Sequence, residues 1–99
     1  MFALVVRFDC PDDDAAAGFD ALVAALLPQI AAHEPGTLSY AVHTVEDAPR
    51  SRVFYECYRD RDAFAEHERQ PHTTHFLHER LAFTSGTRVE LLTMTGSGT

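Results

Sequence analysis

The chain has 99 residues, of which 45% are hydrophobic, and its formal net charge is −7 at neutral pH. A chain of this length forms one domain with a modest core, and its acidic balance repels polyanions, so nucleic acid and anionic membrane surfaces are poor partners. All eight basic residues are arginines, and the chain contains no Lys, Asn or Trp.

The N-terminal segment alternates in the manner of a β-strand. Over residues 2–9 the apolar side chains of Leu4, Val6 and Phe8 fall on one face. Three aspartates at 12–14 then provide helix caps and favourable negative charge at a helix N-terminus. The helix that they begin carries an apolar stripe at helical spacing, made by Phe19, Leu22, Val23, Leu26 and Ile30.

Proline and glycine predict how this helix ends. Pro28 falls late in the helical pattern, where it removes a backbone hydrogen bond, so we expect a kink or a broken last turn. Gly36, in the GluProGly segment 34–36, is a natural exit from a helix.

Two further alternating segments predict a β-hairpin. Residues 37–45 place Leu38, Tyr40 and Val42 on one face, and residues 52–58 form the second arm. The segment between them, EDAPRS, predicts the connecting turn.

The C-terminal part predicts two helical segments and a last strand. Asp60 or Asp62 can cap a helix that Pro71 interrupts, so a second helical segment follows the proline. Residues 88–95 predict the fourth strand, and residues 96–99 predict a flexible tail.

The order of elements is therefore β-α-β-β-α-β, the split βαβ or ferredoxin-like α+β arrangement, and we predict one domain over residues 1–95. Helices cover one face of such an antiparallel sheet. An exposed apolar face in so small a domain predicts a homodimer, and Arg7 alternates towards that face. The largely apolar second face is formed by Val5, Ala41, Val53, Tyr55 and Cys57.

Nothing in the sequence predicts export or membrane insertion. The start lacks the basic n-region of a signal peptide, and we find no stretch approaching the ~20 apolar residues that span a bilayer. Cys10 and Cys57 are too few for a disulfide framework. We predict that they lie at opposite ends of neighbouring antiparallel strands, about 20 Å apart. These features predict a soluble cytoplasmic protein.

Four of the six histidines lie in the segment 66–80, EHERQPHTTHFLHER. His72, His75 and His78 fall three residues apart, and on a helix the outer two point about 120° apart. Only two of them could meet at one metal ion, and the His-Glu-x-x-His spacing of zinc proteases is absent. We therefore predict no native metal site, and a solvated helix face for these three residues.

A more specific pattern combines EPGTLSY (34–40), FYECYRDRDAF (54–64), His67, ProHisThr at 71–73 and Phe76. In this order and spacing the chain resembles the antibiotic biosynthesis monooxygenase family of dimeric α+β barrel proteins, over most of its length. The resemblance implies a small homodimer with a pocket between each sheet and its helices. It also implies a range of activities. Some members oxidise phenolic polyketides or quinols with molecular oxygen and no metal or flavin, whereas others degrade haem, isomerise small sugars or have no demonstrated reaction.

The chain departs from the family pattern for two of these activities. The quinone-forming members use an Asn, a Trp, a Tyr and an Arg, whereas this chain has neither Trp nor Asn, and His67 stands where the tryptophan falls. Val6 stands where the haem-degrading members have an Asn, and their haem-ligating His falls near Leu77. These differences weigh against both specific chemistries.

His67 and Glu56 are the predicted catalytic pair. His67 lies three residues after Phe64, which places it at the rim of the core, and Glu56 lies amid the aromatic residues of the third strand. A carboxylate partner fixes the tautomer of an imidazole and raises its basicity, as a general base near neutral pH requires. A purely structural buried Glu–His pair is the alternative.

We predict that Tyr58, Tyr40, Phe64 and His72 contact the substrate, although core packing with satisfied hydroxyls is the alternative for the two tyrosines. The expected activity is a cofactor-independent monooxygenase that oxidises a polycyclic phenol or hydroquinone with molecular oxygen. Its pocket would remove a phenolic proton and hold the anion in a dry cavity. The alternative is a non-oxidative ligand-binding or isomerase-like protein of the same fold.

Overall fold

Four antiparallel strands and three helices make up the fold in the computed structural model, which describes all 99 residues. The strands form one sheet in the order β2-β3-β1-β4, and the predicted ferredoxin-like α+β arrangement is confirmed. In chain order the elements are β1 (Phe2–Asp9), α1 (Asp13–His33), β2 (Thr37–Val45), β3 (Ala48–Tyr58), α2 (Arg61–Arg69), α3 (Pro71–Glu79), a 3-10 turn (Arg80–Ala82) and β4 (Gly86–Leu92).

The core lies between the central strands and the helices, and its centre is aromatic. Phe8 of β1 packs against Phe19 of α1 with ring centroids 5.1 Å apart. Phe54 of β3 and Phe76 of α3 surround the same pair. Such tilted and edge-on contacts bury large apolar areas, so the predicted core faces of β1 and α1 are confirmed.

Helix α1 passes Pro28 and ends only at His33. The predicted break in its last turn was wrong, because buried Ile30 continues the apolar face beyond the proline, and tertiary packing outweighs one lost backbone hydrogen bond. The prediction that no stretch of the chain is long and apolar enough to span a membrane was also wrong. By length and composition α1 could cross a bilayer, but in this fold it is the helix that packs on the sheet.

The hairpin is longer and tighter than predicted. Val45 pairs with Ala48, so the turn consists of Glu46 and Asp47 only, because the strand ladder continues through the segment that was interpreted as a loop. A bulge at Leu38 leaves that side chain 54% exposed, so it does not share the core face with its predicted neighbours.

Strand β4 starts two residues earlier and ends three residues earlier than predicted. Its pairing with β1 begins where Gly86 faces Asp9 and ends where Leu92 faces Ala3. The extent of the central strand therefore sets the length of β4.

The second face of the sheet carries the apolar residues predicted for it. Tyr55 lies between Val5 of β1 and Ala41 of β2 and is 36% exposed. Arg7 also lies on this face, where it donates hydrogen bonds to Asp9 and Ser51. A second copy of the chain covering this face remains a prediction.

Candidate active site

A cavity of about 240 Å³ lies between the sheet and helices α2 and α3. A cavity of about 150 Å³ holds benzene, so this one has room for more than a single aromatic ring. Its apolar wall includes Leu4, Val6, Phe8, Phe64 and Phe76. The polar groups that line it include Glu56, His67, Glu68, Thr73 and Arg80.

The N-terminal cap of α2 and the close packing of α2 against β2 place His67 in this cavity. Asp60 caps α2 by accepting a hydrogen bond of 2.8 Å from the Ala63 amide. Gly36 lets α2 approach β2, because a Cβ atom at Gly36 would lie 2.6 Å from the Ala63 Cβ. No glycine has a positive φ, so the glycine is needed for this contact and not for the predicted helix exit. His67 ends up with a side chain 5% exposed.

A buried carboxylate, Glu34, orients the imidazole of His67. Glu34 Oε1 lies 2.8 Å from His67 Nδ1 and also accepts a hydrogen bond of 2.7 Å from the Thr37 hydroxyl. Glu34 Oε2 lies 2.5 Å from His72 Nε2. Because a carboxylate can only accept, both imidazoles donate to it. This leaves Nε2 of neutral His67 free to accept a proton.

The electrostatics favour a charged Glu34 beside a neutral His67. Burial acts to raise the pKa of Glu34, but hydrogen bonds from His72 and Thr37 and the nearby His67 hold that pKa below its usual value. Burial lowers the pKa of His67, against the opposing attraction of Glu34. At neutral pH the pair is therefore an ionised carboxylate and a neutral imidazole, which is the state a general base requires.

Glu56 lies on the opposite side of the His67 ring. Its Oε1 is 4.0 Å from His67 Nε2 and accepts a hydrogen bond of 2.5 Å from the Tyr58 hydroxyl. Burial raises the pKa of Glu56 to about 7, with the Tyr58 hydrogen bond acting in the opposite direction. A cavity carboxyl that titrates near neutral pH is a candidate acid–base group.

The structure brings the predicted pair, Glu56 and His67, together on the same side of the sheet. The orienting role given to Glu56 needs correction, because 4.0 Å is too long for a hydrogen bond, and Glu34 holds the imidazole instead. Sequence reasoning missed Glu34 although it opens the GluProGly segment, since that segment was interpreted only as the end of a helix.

Two of the four predicted substrate contacts line the cavity. The rings of Tyr40 and Phe64 pack against His67 with centroids 5.3 and 6.5 Å away. Tyr58 is fully buried behind Glu56, and burial strongly raises the pKa of its hydroxyl, which acts as a donor to Glu56. The core interpretation therefore describes Tyr58 better than substrate contact does.

The histidines of α3 divide into one half-buried residue and two exposed ones. His72 does not line the cavity but lies on the far side of Glu34, with a side chain 10% exposed. The predicted solvated position is thus wrong for His72, because the bond to Glu34 draws it inward. Its substrate contact stays a prediction. His75 and His78 are exposed as predicted.

Sequence reasoning also missed Thr73 and Arg80. Thr73 is 3% exposed and its Oγ1 lies 3.4 Å from His67 Nδ1. Arg80 follows Phe76 by four residues, a spacing that places two residues on the same side of a helical segment. That spacing was a usable signal, since Phe76 already belonged to the pattern that carries the family resemblance.

No group of three or more His, Cys, Asp or Glu side chains is arranged to hold a metal ion. In the cluster of two histidines around Glu34, each imidazole instead bonds a different oxygen of one carboxylate. The arrangement is suited to holding and releasing protons.

Comparison with known proteins agrees with this fold. A model of the family described as antibiotic biosynthesis monooxygenase matches residues 1–79. The solved structure of Rv0793 from Mycobacterium tuberculosis is 26% identical, with a TM-score of 0.86 over 99% of this chain and 98% of that chain. No match was found among curated protein sequences.

Two more distant structures share the fold. One is a proposed antibiotic biosynthesis monooxygenase from Caulobacter crescentus, 20% identical, with a TM-score of 0.88 over 96% of this chain and 90% of that chain. The other is a proposed antibiotic biosynthesis monooxygenase from Bacteroides thetaiotaomicron, 18% identical, with a TM-score of 0.87 over 99% of this chain and 92% of that chain.

Proposed function

The chain belongs to the antibiotic biosynthesis monooxygenase family, and on that premise we propose that it oxidises a polycyclic phenol or hydroquinone with molecular oxygen. The observation that carries the proposal is the geometry of His67. Its Nδ1 bonds to Glu34, and its Nε2 is left to face an apolar cavity that also contains Glu56. A preorganised base in a cavity of low polarity is the requirement for forming an electron-rich phenolate.

The proposed reaction begins with transfer of the hydroxyl proton of the substrate to His67 Nε2. An anthrone reacts as its enol. The resulting anion passes one electron to dioxygen, and the superoxide and the carbon radical combine to form a C–O bond. The peroxide takes up the proton held by His67, and the hydroperoxide then loses water as its O–O bond breaks and the neighbouring C–H proton leaves, which forms a carbonyl group. One anthrone and one dioxygen thus yield one quinone and one water, whereas a hydroquinone gains no oxygen and yields one quinone and one hydrogen peroxide.

In this reaction Glu34 stabilises the imidazolium that forms on His67, and the aromatic wall excludes water from the anion. Glu56 is placed to return a proton, since its carboxyl group is partly protonated near neutral pH. The proposal needs no group outside the cavity to move a proton.

A non-oxidative acid–base reaction is the second candidate. Glu56 and His67 face each other at 4.0 Å in different protonation states, which also suits an isomerase that removes and returns a proton. The absence of Trp and Asn from the chain favours this candidate, because the quinone-forming members that the chain resembles use both.

Oxygen uptake separates the two candidates. Anthrone and 1,4-naphthalenediol would be supplied to the wild-type protein and to His67→Ala and His75→Ala, with quinone formation followed by absorbance. We expect one dioxygen consumed per quinone, faster than the spontaneous oxidation seen with His67→Ala, and unchanged by the exposed control His75→Ala. Rates equal to spontaneous oxidation in all three proteins would refute the oxygenase. Deuterium exchange from D2O into ketone probes without oxygen uptake would support the isomerase.

A further inference from the structure

Arg80 differs from the other arginines in its charge environment. Six of the eight arginines have a carboxylate oxygen within 4.0 Å, and Arg61 and Arg80 do not. Arg61 lies over the Phe2 ring, outside the cavity. Arg80 lines the cavity, where its Nη1 donates to the neutral hydroxyls of Thr84 and Thr87. Arg80 thus lines a largely apolar cavity without a carboxylate within 4.0 Å, in a chain with 15 acidic residues.

The guanidinium of Arg80 also has an unused donor. Its Nε is the one buried side-chain nitrogen or oxygen in the structure with no hydrogen-bond partner. Buried N–H groups are almost always bonded, and an exception needs a physical explanation. A ligand carboxylate entering the cavity would give this guanidinium the ion partner that it lacks.

The register of the strands separates Arg80 from Glu56, which lies at the other polar end of the cavity. Glu56 pairs with Leu4 of β1, whereas Thr87, which bonds to Arg80, pairs with Phe8. Four residues of strand separate these positions, which corresponds to about 13 Å along the backbone. The side chains of Leu4, Val6 and Phe8 form the apolar wall between the two polar ends.

We propose that Arg80 binds a carboxylate of the substrate, so that the cavity takes a fused-ring phenol with a hydroxyl at one end and a carboxylate at the other. The identity of the hydroxyl end rests on the proposed function. The carboxylate end rests on Arg80 alone, since the overall charge of −7 repels anions. A preference for a carboxylate must therefore arise locally, at this guanidinium.

Three small probes test the assignment by equilibrium binding, followed by naphthyl fluorescence. The compound 6-hydroxy-2-naphthoate carries both groups at opposite ends of two rings, 2-naphthol lacks the carboxylate, and 6-methoxy-2-naphthoate lacks the hydroxyl proton. We expect wild-type protein to bind 6-hydroxy-2-naphthoate about tenfold to a hundredfold more tightly than 2-naphthol, as for a hydrogen bond to a charged group. The methoxy compound should bind more weakly than 6-hydroxy-2-naphthoate, both to the wild-type protein and to variants of Arg80.

Variants then locate the preference. Arg80→Gln should abolish the preference for the carboxylate, and Arg80→Lys should keep part of it, because an ammonium retains the charge but not the planar donors. Arg61→Gln is the matched control, since Arg61 also lacks a carboxylate partner but lies outside the cavity. It should leave all three affinities unchanged.

Equal wild-type affinity for 6-hydroxy-2-naphthoate and 2-naphthol, or no binding of either, would overturn the assignment without any variant. A preference that survives in Arg80→Gln would overturn it as well. Binding is measured without turnover, so it is separable from the oxygenase proposal. If the preference for the carboxylate depends on Arg80 but no oxygen is consumed with anthrone or a hydroquinone, the oxygenase proposal fails and the carboxylate site stands. If oxygen is consumed but the carboxylate gives no gain in affinity, the carboxylate site fails and the oxygenase proposal stands.

Discussion

Asp9 and Glu56 lie on neighbouring strands of one sheet but on opposite faces, and their carboxyl groups behave in opposite ways. On the second face of the sheet, which we call the open face because no helix covers it, hydrogen bonds from Ser51 and Arg7 hold the pKa of Asp9 below its usual value. On the face that the helices cover, the helix face, burial raises the pKa of Glu56 to about 7. Glu56 has a tyrosine for a partner, where Asp9 has a cation. The face that the helices of the same chain cover thus holds the carboxyl group with the raised pKa.

The apolar residues of the two faces show a related difference. Val6 and Phe54 on the helix face are buried within one chain. Val53 and Tyr55 on the open face remain half-buried or exposed. The helix face is buried within one chain and contains the candidate site. The open face has similarly apolar residues, but nothing in the same chain buries them.

Removing the proposed base, His67, should have the largest effect on the reaction rate, and only changes on the helix face should have such an effect. His67→Ala should lower the rate of oxygen-coupled quinone formation by about 10²–10⁴, the range for lost general-base catalysis. Asp9→Asn, on the open face, should leave that rate unchanged. Both rates are measured with 1,4-naphthalenediol under air. A His67→Ala protein that retains wild-type rate would remove His67 from the mechanism.

The two carboxyl groups should give stability profiles of opposite sign. The folded-state pKa of Glu56, about 7, lies above its unfolded value of about 4.5, so the unfolded chain loses this proton first. The stability from neutral Glu56 is fully present below pH about 4.5 and is lost as the pH rises through about 7. The loss is on the order of 3 kcal/mol.

Urea unfolding of wild-type protein and Glu56→Gln between pH 4 and pH 8 measures this loss. The free energy of unfolding of the variant should lack the decline, so the difference between the two proteins grows with pH. Asp9 has a lowered pKa, so its contribution is present above its unfolded pKa and falls as the pH drops. Asp9→Asn should therefore flatten the profile below about pH 4, in a second series that extends to about pH 2. Parallel profiles for wild type and Glu56→Gln would contradict the raised pKa.

A charge placed on the open face should break a dimer. We expect the wild-type chain to sediment as a homodimer at micromolar concentration. Tyr55→Asp should weaken association by about 30-fold or more, the loss of about 2 kcal/mol that defines an interface hot spot. The exposed helix residue His75, changed to Asp, is the control and should leave the dimer intact. A wild-type monomer at these concentrations would show that the open face has no such cover.

The smallest effects should separate the histidines of α3. His72→Gln removes an imidazole that bonds buried Glu34, so it should lower the free energy of unfolding by about 1 kcal/mol, the net value of one hydrogen bond. His75→Gln and His78→Gln lie on the exposed face and should stay within about ±0.5 kcal/mol. Equal effects in all three variants would mean that the bond between His72 and Glu34 contributes nothing.

Much of the fold was predictable from local patterns. Alternation at Leu4, Val6 and Phe8 placed β1 and its buried face, and Pro71 correctly divided α2 from α3, because these signals act within a few residues of one another. Asp60 was one of two predicted caps, and the structure selects it. Errors at the hairpin and at β4 arose where strand pairing, and not composition, set the ends.

The candidate site was predictable only in part. The spacing of Phe64 and His67 on a helix, together with Glu56 among aromatic residues, placed two groups that do line one cavity. The partner of His67 is Glu34, which is 33 residues away in the chain and at the end of another helix. No periodicity connects those two positions, because they meet only when Gly36 lets α2 pack closely against β2.

The periodic spacing of apolar residues, with caps and prolines, was sufficient for the element order, because backbone preferences are local. Only the tertiary structure decided which polar groups are buried, which meet and which lack a partner. Burial raises the pKa of Glu56, the packing of α2 against β2 joins Glu34 to His67, and the pairing of β1 with β3 and β4 separates Arg80 from Glu56. Hydrogen bonding and desolvation depend on distances in three dimensions, and spacing along the chain does not specify those distances.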